Sequence, residues 1–264
     1  MDIVFERRGS GPPLVLLHGI GHRWQAWEPV LDRLAAHRDV IAVDLPGFGA
    51  SPPLPAGTPY TLDAALTVLA KAFADLGLDR PHIAGNSLGG LFSLEAADRG
   101  LVSSATALSP AGFFNALELR YATAVLRASR LAANVPDAVL DGLARSPRRR
   151  AAMFGMIYGR PHLLDAAVLA ADARAMRDAA GFEPTLRAGR ATRFLGACAD
   201  VPVTLAWGTR DRLLRASQAV RAQQRLPHAR FVWLKDCGHV PMGDDPDLVA
   251  KVLLEGSDHP LLTG

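Results

Sequence analysis

Short apolar runs alternate with longer amphipathic segments along most of this 264-residue chain, and this alternation is the strongest constraint on its fold. Continuous apolar runs bounded by turn residues indicate strands buried on both faces, and the segments between them have helical spacing. Parallel strands need crossover connections, which are usually helices. The pattern therefore predicts an α/β fold with a mostly parallel central sheet flanked by helices. The predicted strands cover residues 14–17, 40–44, 82–86, 105–108, 203–207 and 230–234, with an edge strand at 3–7.

The alternation is interrupted once, over residues 112–195. No convincing strand occurs there, and Ala, Leu and Arg recur at helical spacing. We therefore predict an inserted helical cap of about four helices at 112–195, with the core formed by residues 1–111 and 196–264. Three prolines suit helix starts, where a missing N–H is not needed: Pro136, Pro147 and Pro161.

A G-x-S-x-G motif follows the third of the core strands and precedes an Ala- and Leu-rich stretch, and it reads Gly85-Asn86-Ser87-Leu88-Gly89. Small outer residues allow a strained backbone at the serine, because no bulky Cβ crowds the turn. The Ser87 hydroxyl would then stand clear of the sheet, as a nucleophile must. A serine hydroxyl becomes an effective nucleophile only when a base accepts its proton.

Two later loops supply an acid and a base. Asp211 follows the predicted strand at 203–207, and His239 follows the one at 230–234. Because the carboxyl ends of parallel strands meet at one edge of a sheet, we expect both side chains near Ser87. The sequence therefore predicts a Ser-His-Asp triad, in which His239 accepts the serine proton and Asp211 orients the imidazole.

Backbone donors for a developing oxyanion are expected at the same edge of the sheet. The motif His18-Gly19-Ile20-Gly21 follows the first core strand, and its glycines let the backbone approach a substrate. We predict that the oxyanion hole consists of two main-chain N–H groups, those of Ile20 and Leu88.

With these motifs the chain resembles the α/β-hydrolase fold superfamily over nearly its whole length. The resemblance implies a serine hydrolase with a helical cap, and it implies that His18 supports the oxyanion loop through hydrogen bonds. The other histidines outside the triad, including His22, lack a paired acid and are interpreted as surface or packing residues. The remaining motifs of the resemblance are Asp44-Leu45-Pro46-Gly47-Phe48-Gly49 with Ser51, Trp207-Gly208-Thr209-Arg210-Asp211, and Cys237-Gly238-His239-Val240-Pro241.

Aromatic and sulfur-containing side chains of the cap and loops favour a small hydrophobic ester or related acyl substrate. The same residues at helical spacing are also typical of a cap's own core. The predicted substrate-binding residues are Trp24, Phe113, Phe114, Met153, Met156, Arg190 and Val240.

Three other functions stay open. The Gly-Asn-Ser sequence at the turn resembles enzymes that hydrolyse C–C bonds in ring-cleavage products of aromatic compounds, and Arg190 would then hold a substrate carboxylate. Those enzymes usually place an aromatic residue directly after the catalytic histidine, where this chain has Val240. A cofactor-free perhydrolase uses the same triad. A non-catalytic ligand-binding protein of this fold would use only the cavity.

Charge and composition limit the partners. The net charge is +3, but the one dense basic run, around Arg148, is typical of a solvated helix face, so we predict no nucleic-acid partner. Residues 1–9 lack an apolar signal core and no stretch is long and apolar enough for a membrane span, which favours a cytoplasmic protein. The oligomeric state is not indicated.

Metal and cofactor chemistry is not expected. There is no cluster with metal-ligand spacing and no phosphate-binding glycine loop, so we predict that neither a metal nor a cofactor is needed. The two cysteines, Cys198 and Cys237, are expected to be reduced, with Cys237 buried as a small apolar residue.

Overall fold

The computed structural model describes residues 3–190 and 192–258 of the chain, which form seven strands and ten α-helices. The strands are β1 (Phe5–Arg8), β2 (Pro13–Leu17), β3 (Asp39–Val43), β4 (His82–Asn86), β5 (Ser104–Leu108), β6 (Val203–Gly208) and β7 (Arg230–Leu234). The α-helices are α1 (Glu28–Ala35), α2 (Leu62–Asp75), α3 (Leu88–Asp98), α4 (Ala116–Ala132), α5 (Asp137–Arg145), α6 (Pro147–Phe154), α7 (Ala166–Asp178), α8 (Phe182–Ala188), α9 (Ala216–Arg225) and α10 (Pro246–Asp258). Two short 3-10 helices lie at Trp24–Trp27 and Pro161–Leu163.

The strands form one sheet in the order β1-β3-β2-β4-β5-β6-β7. β1 runs antiparallel to β3 at the edge, and every other neighbouring pair is parallel. In the centre, Leu16 of β2 lies opposite Ala42 on one side and Ala84 on the other, and all three side chains are fully buried. Burial on both faces explains why these strands are continuous apolar runs. The predicted fold class is confirmed.

Helices pack on the sheet where their sequences leave an apolar face or a small residue. On α2 the buried residues are Leu66, Leu69 and Phe73, which recur at helical spacing, and the Thr61 hydroxyl caps the helix by accepting from the Ala64 N–H. α10 approaches β5 at Gly256, where a Cβ would lie 2.2 Å from the hydroxyl oxygen of Thr106. Gly256 therefore permits this close approach, and a Cβ there would force the Thr106 side chain to shift.

The segment between β5 and β6 is helical, as predicted. Its described residues form five α-helices, α4 to α8, and one 3-10 helix, so the expected number of about four is too low. Only Ser146 separates α5 from α6, a break too short to interrupt the spacing. The prolines do lie at helix starts, with Pro136 before α5 and Pro147 and Pro161 as first helical residues. The boundaries of a cap domain stay a prediction.

Both cysteines are buried free thiols, as expected. Burial raises the pKa of Cys198 and of Cys237 to about 12, so neither is a thiolate near neutral pH. Among the described residues, no helix combines the length and apolarity that crossing a membrane requires.

Candidate active site

Ser87 lies at the sharp turn from β4 into α3. Its backbone has φ 56° and ψ −110°, a region that residues with side chains rarely adopt. A Cβ on Gly85 would lie 2.1 Å from the carbonyl oxygen of Gly89, and one on Gly89 would lie 2.1 Å from that of Leu17. The Ser87 N–H donates to Leu108 O at 2.9 Å, which ties the turn to β5. The two glycines of the motif are thus required by close backbone packing.

His239 and Asp211 form a buried hydrogen-bonded pair. The imidazole Nδ1 lies 2.8 Å from Oδ2 of Asp211, and the two side chains are 4% and 0% exposed. The other carboxylate oxygen accepts from the main-chain N–H groups of Leu213 at 2.9 Å and Leu214 at 2.8 Å. Because an ionised carboxylate only accepts, Nδ1 carries the ring proton and Nε2 is left able to accept one.

Ser87 and His239 line the same small cavity, which measures about 10 Å³. No hydrogen bond joins the serine hydroxyl to the imidazole among residues 3–190 and 192–258. Such contacts often tighten only when a substrate is bound. Gly19 also lines this cavity, and a Cβ on it would lie 3.2 Å from the Cβ of Ser87.

The loop carrying His239 is held by the segment 157–160, which follows α6. The Ile157 carbonyl accepts from the N–H of His239 at 2.7 Å and of Val240 at 3.1 Å. A Cβ on Gly238 would lie 2.4 Å from the nitrogen of Gly159, so the two backbones are in direct contact. The position of the imidazole thus depends on residues between β5 and β6.

Asp244 fastens the same two segments together. Its Oδ2 accepts from the N–H groups of Gly159 and Gly238, and its Oδ1 from that of Arg160, each at 2.8 Å. Sequence reasoning missed this residue, because nothing in the local pattern shows that a distant segment returns to it. The only signal is an acid five positions after the motif histidine.

The side-chain amide of Asn86 links β5 to the loop that carries His239. Its Nδ2 donates to Leu108 O at 3.1 Å and to His239 O at 2.8 Å. Asn86, the residue on which the resemblance to C–C hydrolases depends, therefore joins the Ser87 turn to the loop that carries His239.

The loop at residues 18–21 is fixed by a neutral histidine. The His18 Nδ1 donates to Gly19 O at 2.7 Å, and its Nε2 accepts from Leu45 N–H at 3.0 Å, so the ring supports the loop as expected. Burial lowers the pKa of His18 to about 3. Ile20 and Leu88 both line the larger cavity described below, and within the described part of the chain neither main-chain N–H has a hydrogen-bond partner.

A larger apolar cavity of about 100 Å³ adjoins Ser87. Of the described residues, those lining it include no Arg, Lys, His, Asp or Glu. Besides Ser87, the lining residues with polar side chains are Tyr60 and three threonines. Its apolar wall includes Leu62, Leu91, Phe92, Phe114, Leu126 and Leu186, of which only Phe114 was predicted.

The other predicted substrate-binding residues lie in different parts of the structure. Val240 lines the small cavity, but Phe113 is buried against the ring of Phe194, with centroids 5.8 Å apart. Trp24 borders a separate surface cleft. Neither Phe113 nor Trp24 lines the two cavities beside Ser87.

Three further predicted residues also lie outside these two cavities. Met153 packs beside the small core formed by Ala133, Leu140 and Ala173, Met156 is half-buried, and Arg190 is exposed. The spacing of apolar residues shows that a helix has an apolar face, but it does not show which helix face turns toward Ser87.

His22 was interpreted as a surface or packing residue, and the structure places it in the interior. It also lines the small cavity together with Ser87 and His239, which the sequence did not indicate. Met176 of α7 and Ile157 are among the apolar residues of the same wall, which also includes Ile20, Leu126, Leu213 and Val240.

A sequence model described as the alpha/beta hydrolase family matches residues 14–252. The pimeloyl-[acyl-carrier protein] methyl ester esterase of Aeromonas salmonicida is 29% identical over an alignment of 270 positions. That alignment covers 96% of this chain and 98% of that protein. The 2-hydroxy-6-oxo-2,4-heptadienoate hydrolase of Pseudomonas putida is 42% identical over 94 residues, or 34% of each chain. The crystal structure of a bacterial membrane phospholipase A superposes with a TM-score of 0.76 at 26% identity, covering 98% of this chain and 84% of that one. The match over most of the length and the shared fold show that this chain belongs to the alpha/beta hydrolase family.

Proposed function

We propose that this protein is a serine hydrolase that cleaves esters with an uncharged, apolar acyl group. The observation that carries the proposal is the His239–Asp211 pair, whose imidazole shares a cavity with a strained Ser87. A buried acid that fixes the tautomer of a histidine beside a serine is the arrangement that activates a hydroxyl.

In the proposed reaction the Ser87 Oγ attacks the ester carbonyl carbon and gives its proton to Nε2 of His239. The main-chain N–H groups of Ile20 and Leu88 stabilise the oxyanion, and one such donor typically contributes ~2.7–4 kcal/mol to the transition state. The imidazolium then protonates the leaving alcohol, and an acyl-Ser87 intermediate remains. Water hydrolyses this intermediate, again with His239 as the base.

The composition of the larger cavity supports the substrate class. A buried charge without a partner is costly, so a cavity lined without charged side chains favours a neutral, apolar acyl group. The methyl ester esterase among the relatives supports an ester.

Hydrolysis of a C–C bond is the second candidate, because the dienoate hydrolase of Pseudomonas putida matches a third of this chain at 42% identity. A dienoate carries a carboxylate, which needs a cationic partner in a buried site. The exposed position of Arg190 does not favour that role, so we rank ester hydrolysis first.

The proposal is tested with nitrophenyl esters of increasing acyl length, one ester whose acyl chain ends in a carboxylate, and one ring-cleavage dienoate. We expect turnover of the apolar esters and poor turnover of the charged ones. Ser87→Ala should lower kcat by ~10⁴ or more, as loss of a serine nucleophile does in comparable enzymes. Ser93→Ala is the matched control, because Ser93 is buried on α3 and its hydroxyl only donates to Gly89 O within the helix.

Three results would overturn or replace the proposal. Unchanged turnover in Ser87→Ala would refute the nucleophile. Preference for the dienoate would move the assignment to C–C hydrolysis. Binding across the panel without turnover would indicate a ligand-binding protein.

A further inference from the structure

A second imidazole borders the small cavity between Ser87 and His239. His22 follows the loop at 18–21, and its N–H donates to Gly19 O at 3.1 Å, which fixes its backbone beside that loop. The residue is only 6% exposed. The proposed triad does not use this ring.

The Nδ1 atom of His22 is buried and has no hydrogen-bond partner among the residues that the structure describes. An unsatisfied buried polar atom destabilises the fold, and most buried polar atoms in native proteins are paired with protein groups or ordered water. The neighbouring Tyr158 does not form a hydrogen bond with Nδ1. The Tyr158 ring lies edge-on with centroids 6.5 Å apart, and the Tyr158 hydroxyl donates to Asp172 at 2.6 Å.

The charge state of His22 also suits a polar, neutral ligand. Burial lowers its pKa; the charge of Asp172 opposes this shift, and those of His239 and Arg23 add to it. A neutral imidazole offers one donor and one acceptor nitrogen. His22 can therefore bind water without competing with His239 as an acid.

The size of the cavity matches one water molecule. Its volume is about 10 Å³, close to the ~10–15 Å³ that a single buried water requires. A buried water also needs two to four polar partners. The residues with polar side chains on this wall are His22, Ser87, His239 and Asn86. The Oδ1 of Asn86 is also buried and has no hydrogen-bond partner among the described residues.

We propose that this cavity binds the water that hydrolyses the acyl-enzyme, and that His22 holds that water through Nδ1. This inference rests on the proposed function. The water oxygen forms a bond to the acyl carbon and gives one proton to Nε2 of His239. The bond from that carbon to the Ser87 Oγ then breaks, the Oγ regains the proton from His239, and the acid leaves. His22 neither gains nor loses a proton in the balance.

Two substitutions of His22 separate water binding from packing. His22→Leu fills similar space without a polar atom, whereas His22→Asn carries an amide group near the position of Nδ1. We expect His22→Leu to slow deacylation by about tenfold or more, the value of one hydrogen bond in the transition state. His22→Asn should recover most of that loss.

Acylation should be nearly unchanged in both variants. It is measured as nitrophenolate release in the first turnover, and deacylation as the disappearance of the acyl adduct on Ser87 by mass spectrometry. Labelling of Ser87 by a fluorophosphonate needs no water and should proceed at the wild-type rate. Met176→Leu is the control, because Met176 lines the same cavity without a hydrogen-bonding N or O atom.

The inference is wrong if His22→Leu slows both steps equally, if it slows neither, or if His22→Asn is as slow as His22→Leu. It is also wrong if Met176→Leu has the same effect as His22→Leu. Failure of Ser87 to react with the fluorophosphonate in the wild-type protein would instead contradict the proposed function.

Discussion

The Ser87 turn, residues 85–89, and the histidine loop, residues 237–244, meet at one cavity but are held by different parts of the chain. The turn is fixed by the strands beside it: Gly89 packs on the Leu17 carbonyl, and Leu108 O accepts from Ser87 N–H. The histidine loop depends on the distant segment 157–160, through Ile157 O and the carboxylate of Asp244.

This difference shows how the proposed base depends on the helical segment between β5 and β6. The residues that allow the tight turn are its own glycines, Gly85 and Gly89, which lie within the motif. The histidine loop is positioned by hydrogen bonds that form only when residues about eighty positions away fold against it. Changes in segment 157–160 should therefore affect His239 before they affect Ser87.

Gly89→Ala should have the largest effect on activity. The new Cβ would lie 2.1 Å from Leu17 O, so the turn must move and displace Ser87. We expect kcat/KM to fall by ~10² or more, as a misplacement of about 1 Å can cause. The free energy of unfolding should fall by ~1–3 kcal/mol.

The control for that change is Gly142→Ala on α5, where a Cβ would meet nothing within 4 Å. Alanine is the better helix former, so stability should rise by up to ~1 kcal/mol with activity unchanged. Wild-type activity in Gly89→Ala, measured together with urea unfolding, would contradict the steric requirement for glycine at this turn.

Asp244→Asn should have an intermediate effect. One acceptor oxygen becomes an NH₂ group facing main-chain N–H groups, so part of the clamp on Gly159, Arg160 and Gly238 is lost. We expect kcat to fall by about tenfold, because a displaced His239 transfers protons less well, and stability to fall by ~1–3 kcal/mol. KM should change little, since Asp244 does not line the larger cavity.

Asp245→Asn is the matched control. Asp245 accepts from Leu248 N–H at 3.0 Å at the start of α10, and asparagine caps a helix as well as aspartate does. Equal losses of kcat in the two variants would show that the carboxylate clamp does not position the base.

His18 should give a smaller effect that appears in stability as a function of pH. Its pKa is lowered to about 3, so the unfolded chain binds the proton more strongly than the folded one. The stability contribution is therefore complete above the ordinary histidine pKa and decreases as the pH falls toward 3. Between pH 7 and pH 5 the free energy of unfolding should fall by ~2 kcal/mol from this residue.

Urea unfolding at the two pH values measures this loss. In His18→Gln the number of protons taken up on unfolding at acidic pH should fall by about one, so the free energy of unfolding should change less with pH. Gln keeps hydrogen-bonding capacity but does not titrate, so it isolates the charge from the packing. If the free energy of unfolding of His18→Gln depends on pH as that of the wild type does, His18 is not the cause of this loss of stability.

Much of the fold could be predicted because its signals are local. Buried parallel strands give continuous apolar runs, and the observed strands begin or end within two residues of the predicted ones, with β1 at Phe5–Arg8 instead of 3–7. The helix count was wrong where one residue, Ser146, separates two helices.

The site could be predicted only in part. The hydrogen bond between His239 and Asp211 agrees with the predicted pair, but its catalytic role stays a prediction. Most of the larger cavity's wall was missed, because the helix face that turns toward Ser87 depends on tertiary packing. The notable feature of His22, a buried nitrogen without a partner in the described structure, exists only once the chain has folded.

The role of Ser87 is tested by reaction of the protein with a fluorophosphonate, followed by mass spectrometry of its peptides and an assay of ester hydrolysis. We expect one adduct, on Ser87, that forms in parallel with the loss of hydrolysis and is strongly slowed in His239→Ala. Full esterase activity with an unmodified Ser87, or an adduct on another residue that abolishes activity, would contradict this role.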